Sequence, residues 1–348
     1  MPSDHTPTHT ALDLITGAWR TQAVHVAARL RLPDLIADGQ RDRAALTKAT
    51  GLAPDLLGRL LRLLVTLGVF TADGEGENRT YHPTPVSEQL RDRPGSLRDM
   101  CLLYGEECYD AWGHAEHALA TGTSGFETAY GLPFDTYLAG HPELAGRFQR
   151  ALRAGHQVFD DVPRAIDFSD CRTVVDFGGG SGQLLATVLA AAPGARGVLV
   201  DLPHTMPIAR AYLAERVGPD RVDLWGQNMF TGPVPPGADA YLFSRVLGGC
   251  DDASCVRLLR RVRAVMRPTS RVVVLDRVAT DDPEAVLTAL WDLQLLVTNG
   301  GRQRTDADCR ALLDSSGLAL ERVVDLPMEN KGLIAAPVDP APVSGAAG

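Results

Sequence analysis

No stretch of eighteen consecutive apolar residues occurs in the 348-residue chain, so no membrane-spanning helix is expected. Positive charge is also scarce: 34 Lys and Arg stand against 43 Asp and Glu, a formal net charge of −9. That balance lacks the basic footprint of non-specific nucleic-acid binding, and a small-molecule ligand is the better expectation. Cysteines number six, with no CxxC pair, so their spacing suggests no metal site, and they read as reduced thiols. The opening MPSDHTPTHT lacks the charged-then-apolar order of a signal peptide, which makes a cytoplasmic protein the expectation. No internal repeat or low-complexity block is evident. What the chain has is 45% hydrophobic and 22% charged residues, ordinary values for a globular protein and enough to exclude bulk disorder. Its length suggests two domains.

Residues 11–38 carry apolar positions at helical spacing, with Pro33 opening a short second helix. Residues 43–70 read as two helices about a turn, the second being DLLGRLLRLLVTLGVF, and VFTADGEGENRTYHPT suits a β-hairpin. Helix, turn, helix and hairpin make a winged helix. Residues 97–160 are helical again and rich in aromatics. Near residue 170 the rhythm changes: TVVDF, GVLVDLP, RVDLW, ADAYLFS and RVVVLD read as strands alternating with helices, and GLALERVVDL with GLIAAPV close the series. Such alternation implies βαβ units and a largely parallel sheet.

The chemistry centres on Asp176-Phe177-Gly178-Gly179-Gly180-Ser181-Gly182. A strand that runs into glycines and then a helix leaves backbone N–H groups open to a ligand. Position 183 is Gln183, so the dinucleotide pattern GxGxxG is only partly met. Nineteen residues beyond Gly182, at the end of the next strand, Asp201 is placed to accept both ribose hydroxyls of an adenosine ligand. The order loop, helix, strand, acid is more specific than the glycines alone.

With RLLRLLVTLGVF, YGLPFDTYLAGHPELAGRFQRAL, VVDFGGGSG, VLVDLP, GADAYLFSRVL and TNGGRQRT, the chain resembles the class I S-adenosylmethionine-dependent small-molecule O-methyltransferases, bacterial natural-product members above all. The resemblance implies a Rossmann-like, seven-stranded α/β methyltransferase domain at 166–340, a helical connector at 97–165 lining the substrate pocket, and an all-α winged-helix dimerisation domain at 1–96. It implies a homodimer acting on a small aromatic acceptor held between the two domains, with no nucleic acid or membrane partner and no metal. Asp176, Gly178, Gly180 and Gly182 would form the methionine and ribose side of the S-adenosyl-L-methionine site. Asp201 would hold the ribose and Leu202 would pack on adenine. GQNMF takes the place of the loop in which an acid reads the adenine amine. Asn228 stands for that acid, with Met229 beside it, and its amide oxygen is expected to accept from the amine. Ser244 and Arg245 would lie near the methionyl carboxylate, and Trp291, Leu295, Asn299 and Gln303 would line the acceptor pocket.

The chain departs from the family's pattern where the base belongs. Methylating members carry His-Asp-Trp after the fourth strand, and the His removes the acceptor proton; here Gly248 stands there. The glutamate that steers that His is Gln303. Three readings follow. In the first, the acceptor arrives ionised and alignment alone drives methyl transfer. In the second, another residue, His156, acts as base, while Asp276 at the end of RVVVLD stands at the position of a further acidic helper. In the third, the bound cofactor serves hydroxylation, decarboxylation or cyclisation. A winged-helix DNA regulator is a further alternative, but the second helix carries only Arg59 and Arg62 as cations, where a recognition helix needs a basic face. His114, Glu116 and His117 share helical spacing without an evident third ligand, so no metal is expected there.

Overall fold

The computed structural model describes residues 6–154 and 157–338. Contacts divide the chain into two units, 1–109 with 150–155 and 110–149 with 156–348. The stretch expected as one connector is thus shared between the two units.

In the first unit the carboxylate of Asp42 accepts from the Ala45 N–H at 2.8 Å and starts the helix Arg43–Thr50. Pro54 opens the helix Pro54–Thr66, where its missing N–H costs nothing. Leu57, Leu61 and Leu64 fall on one stripe of that helix and are fully buried with Leu32, Ile36, Leu46 and Phe70. Arg59 and Arg62 are exposed, and so are Leu56 and Leu63. β1 (Phe70–Asp73) and β2 (Thr80–Pro83) pair antiparallel, Phe70 opposite Pro83, and form the expected wing. The unit is therefore helical with a two-stranded hairpin, not all-α. Its first helix, Pro7–Ile15, buries no residue and leaves Leu12, Leu14 and Ile15 exposed.

The second unit is built on β3 (Thr173–Phe177), β4 (Arg196–Asp201), β5 (Val222–Gly226), β6 (Ala240–Ser244), β7 (Arg271–Ala279), β8 (Arg304–Thr305), β9 (Leu318–Leu326) and β10 (Asn330–Pro337). The sheet order is β5-β4-β3-β6-β7-β10-β9, and β8 adds a short pairing to the far end of β7. β3 to β7 run parallel; β10 is antiparallel to both β7 and β9, so the sheet is mixed. Val174, Val175 and Phe177 are buried on both faces, as a central parallel strand requires. One core packs Val174, Leu199 and Leu242 against the helices Gln183–Ala191 and Met206–Arg216. The other packs Val175, Phe243 and Val272 against the helices Asp252–Arg263 and Asp306–Ser315. The Phe177 and Phe243 rings stack at 5.1 Å across the junction of β3 and β6. At that junction the strand order reverses direction, and the carboxyl ends of the strands there form the crevice where such folds bind ligands. Among the described residues no helix is long and apolar enough to cross a membrane.

Candidate active site

The strand ends gather Asp176, Gly178, Gly180, Gly182, Asp201 and Leu202. Asp176 is the fourth residue of β3, buried at 1% exposure, and neither carboxylate oxygen has a hydrogen-bond partner. Burial, aided by the nearby charge of Asp201, pushes its carboxyl up to about 8. Gly178 takes φ +64, and a Cβ there would stand 2.6 Å from Val246 Cγ2. Gly180 takes φ +57, and a Cβ there would meet the Gln149 amide oxygen at 2.7 Å. Both positions favour glycine for their left-handed conformation, and Gly178 also for space. Gly182 caps the helix Gln183–Ala191, and Gly182 N–H donates to Gly179 O at 2.8 Å.

Asp201 ends β4. Its Oδ2 accepts from the Gly180 N–H at 2.8 Å and its Oδ1 from the Leu202 N–H at 2.6 Å. Burial raises this carboxyl, while the Gly180 and Leu202 N–H groups hold it down. Asp201 pairs in register with Gly226 of β5, and Gln227 N–H donates to Asp201 O at 2.8 Å. The loop that carries Asn228 and Met229 therefore begins beside Asp201. Met229 Cε stands 3.6 Å from the Cβ position of Gly178, which places this side chain against the glycine loop.

The other half of the crevice lies beyond β6 and β7. Ser244 ends β6 with a buried hydroxyl that has no partner. Arg245 follows at φ +56, a left-handed conformation unusual for a side-chain-bearing residue, and its N–H donates to Leu275 O at 2.9 Å. Gly248 sits in a turn of 3₁₀-helix, Leu247–Gly249. A Cβ at Gly248 would lie 3.4 Å from Asp276 Oδ2, and 3.3 Å from both Leu295 Cδ1 and Arg302 O. Asp276 is not at its strand's end, because β7 runs on to Ala279 to pair with β8 and β10. Burial pushes the Asp276 carboxyl up, against the pull of Arg245, Arg277 and Arg304. Gln303 is buried, its N–H donates to Asp292 Oδ1 at 2.6 Å, and its amide oxygen has no partner. Gly248, Asp276, Arg277, Gln303 and Arg304 line a cavity of about 20 Å³, room for about one water.

Trp291, Leu295 and Asn299 lie on the helix Val286–Asn299. Leu295 reaches Gly248 as above. The Trp291 ring lies under the Arg277 guanidinium at 5.3 Å, and Asn299 Oδ1 accepts from the Gly301 N–H at 3.0 Å as part of the turn that follows. His156 lies outside the described residues. Among the described residues no group of three or more His, Cys, Asp or Glu is arranged to hold a metal ion.

Two positioning residues escaped the sequence reading. Arg304, 4% exposed, donates to Leu247 O, Cys250 O and Asp252, and so clamps the turn that bears Gly248. Arg261 donates to Met229 O at 2.9 Å and to Gly232 O, and holds the loop after β5. An arginine in a polar run or on a helix resembles a solvated one, and no spacing rule marks either. Gln149 carried no signal beyond its place in GRFQRAL.

Residues 112–319 match the O-methyltransferase domain, and residues 12–92 match the O-methyltransferase dimerisation domain. The chain belongs to the O-methyltransferase family. It is 41% identical to a phenazine-1-carboxylate N-methyltransferase of Pseudomonas aeruginosa, over 93% of this chain and 96% of that one. It is 40% identical to a 3-amino-4-hydroxybenzoate 4-O-methyltransferase of Streptomyces cremeus, over 91% and 87%. Among solved structures, an O-methyltransferase from neocarzinostatin biosynthesis, in complex with S-adenosyl-L-homocysteine and 1,4-dihydroxy-2-naphthoic acid, superposes with a TM-score of 0.79 at 30% identity, covering 91% of this chain and 96% of that one.

This O-methyltransferase is a methyl-transferring enzyme dependent on S-adenosyl-L-methionine, and the non-methylating alternatives are not favoured. The crevice fits that cofactor on its own terms. Asp176 and Ser244 bury polar atoms without partners, a costly arrangement that a ligand bearing an ammonium and a carboxylate would relieve. The glycine loop leaves a cradle that side chains would fill.

Proposed function

We propose that this O-methyltransferase methylates an oxygen of an aromatic small molecule that reaches the site already ionised, with no protein base at position 248. S-adenosylmethionine, when bound, supplies an electrophilic methyl group on a sulfonium. Asp176, Gly178, Gly180, Asp201, Leu202, Asn228, Met229, Ser244 and Arg245 would hold it. The observation that carries the reading is Gly248 facing Asp276 with no imidazole between them. General-base catalysis is typically worth about 10²–10⁴-fold, and alignment of an already ionised nucleophile can outweigh its loss.

Asp276 then has a different task. Burial raises its carboxyl against the pull of three arginines, and in its neutral form that carboxyl would donate a hydrogen bond to an anionic acceptor. Trp291 and Leu295 would bound the acceptor ring, Asn299 and Gln303 its polar edge. His156 remains the alternative base. Aromatic acids named for the relatives, a phenazine carboxylate, a hydroxybenzoate and a naphthoic acid, are the acceptor class to try first.

A nitrogen acceptor is the second reading, favoured by the same glycine: a ring nitrogen has no proton to lose, so a missing base costs nothing. We also propose a homodimer through residues 12–92, supported by the exposed Leu12, Leu14, Ile15, Leu56 and Leu63. The purified enzyme with methyl-labelled S-adenosylmethionine and a panel of aromatic acids and phenols tests the reaction. Label recovered on an acceptor oxygen is expected; label on nitrogen favours the second reading; turnover without label in product contradicts both.

A further inference from the structure

Two cysteines face each other beside the turn that carries Gly248. Cys250 follows the turn Leu247–Gly249, and Cys255 lies in the helix Asp252–Arg263. Asp251 caps that helix, its Oδ1 accepting from the Ser254 N–H at 2.8 Å. Cys250 is therefore the residue before the cap and Cys255 the fourth of the helix, two positions whose side chains meet across a helix N-terminus. Here they meet as thiols, joined by a hydrogen bond. Cys255 Sγ lies 3.5 Å from Leu247 O and 3.8 Å from Cys250 O, and Cys250 Sγ lies 3.6 Å from Val246 O. Cys255 is fully buried and Cys250 half-buried.

The surroundings set this pair apart. The shared hydrogen bond, then burial, pushes the Cys250 thiol up. The same bond holds Cys255 below the ordinary thiol value against its burial, helped by Arg304, whose Nη2 stands 3.5 Å from Cys255 Sγ. Burial pushes Cys101 and Cys309 the other way, each up to about 11. One sulfur of the pair is thus biased toward thiolate, and its neighbour keeps a proton against it.

We propose that Cys250 and Cys255 form a modification site for a peroxide-class oxidant, which joins them in a disulfide and locks the turn bearing Gly248. The step balances: two S–H bonds and the peroxide O–O bond break, one S–S bond forms, and the two thiol hydrogens leave in two waters. Each sulfur gives up one electron and the peroxide takes two. In the reduced chain Arg304 grips Leu247 O and Cys250 O, and Cys255 Sγ rests against Leu247 O. A bridge draws Cys250 onto the helix and shifts the turn that faces Asp276 and Leu295. It closes only a short loop, and strained bridges of that kind are readily reduced. The consequence for turnover rests on the methyl-transfer reading, whereas the bridge itself is read by mass.

The test treats the reduced, full-length enzyme with hydrogen peroxide, then alkylates free thiols and maps tryptic peptides. Val246–Arg257 is one such peptide and carries both cysteines and no other. It is expected to lose two hydrogens and escape alkylation, and titratable thiols should fall from six to four. Turnover across the panel of aromatic acids and phenols should drop by about tenfold or more, because small misplacements near reacting groups are costly. Affinity for S-adenosylhomocysteine should stay within about twofold by calorimetry, as for uncoupled sites, and dithiothreitol should restore turnover. Cys250→Ser and Cys255→Ser should keep the untreated turnover and lose the response to peroxide. A peptide alkylated at both cysteines after treatment overturns the proposal. So does a bridge that leaves turnover unchanged, or a serine variant as sensitive as the wild type. A chain that bridges but methylates nothing before treatment upholds the site and contradicts the methyl-transfer reading instead.

Discussion

The two halves of the crevice are built on opposite plans. Beyond β3, β4 and β5, buried polar groups stand ready for a ligand: Asp176 has two oxygens without partners, and the Asp201 carboxylate is aimed by two N–H groups. Beyond β6 and β7, Ser244 Oγ and Gln303 Oε1 also lack partners, but the loops that carry Gly248 and Gln303 are strapped to their neighbours. Arg302 N–H donates to Gly248 O at 2.8 Å, Gln303 N–H binds Asp292, and Arg304 grips Leu247, Cys250 and Asp252. The first half, on the proposed cofactor reading, has its chemistry written in residue types. The second is a tightly strapped wall in which position 248 offers no side chain. Cofactor binding and acceptor handling should therefore respond to different substitutions.

The largest expected separation is between Asp201 and Asp276. Asp201→Ala should weaken S-adenosylhomocysteine by about 100-fold or more, since it removes a charged acceptor and the anchor of the Gly180 N–H. Asp276→Ala should leave that affinity within about twofold by calorimetry and lower kcat/KM by about tenfold or more. Asp276→Asn keeps a donor at the same place and should retain most activity. Equal losses in the Asn and Ala variants would show that Asp276 takes a proton instead.

A smaller effect is expected at the strap. A Cβ at Gly301 would collide with Gly248 O, so Gly301→Ala must displace one of the two loops. It should cost about 1–3 kcal/mol of stability and raise KM for the acceptor, with cofactor affinity unchanged. A pH slope is expected as well. The Asp176 carboxyl titrates near 3.8 when unfolded and about 8 when folded, so the folded chain holds the proton over that interval. Its contribution to stability is full below about pH 4 and lost progressively as pH rises to 8, by at most about 1.4 kcal/mol per pH unit. Chemical denaturation of the ligand-free protein across pH 5–8 should show this slope, and Asp176→Asn should flatten it.

The same contrast governs what could be read from the sequence. β3, the glycine run and Asp201 were legible because backbone geometry and ligand chemistry admit few residue types there. The alternation of strands and helices gave the central sheet, but the antiparallel entry of β10 depends on pairing between distant segments. At the acceptor end, the sequence marked Gly248 and Gln303 as departures. It could not show that β7 runs past Asp276, that Arg245 is left-handed, or that Arg304 is buried at the heart of the strap.

The pH dependence of kcat/KM across acceptors of graded acidity tests the central claim most directly. Methylation of an ionised acceptor, without a base at Gly248, predicts a midpoint that moves with the acceptor's own pKa. A midpoint near neutral pH that stays fixed whichever acceptor is used would reveal a protein base and contradict the account.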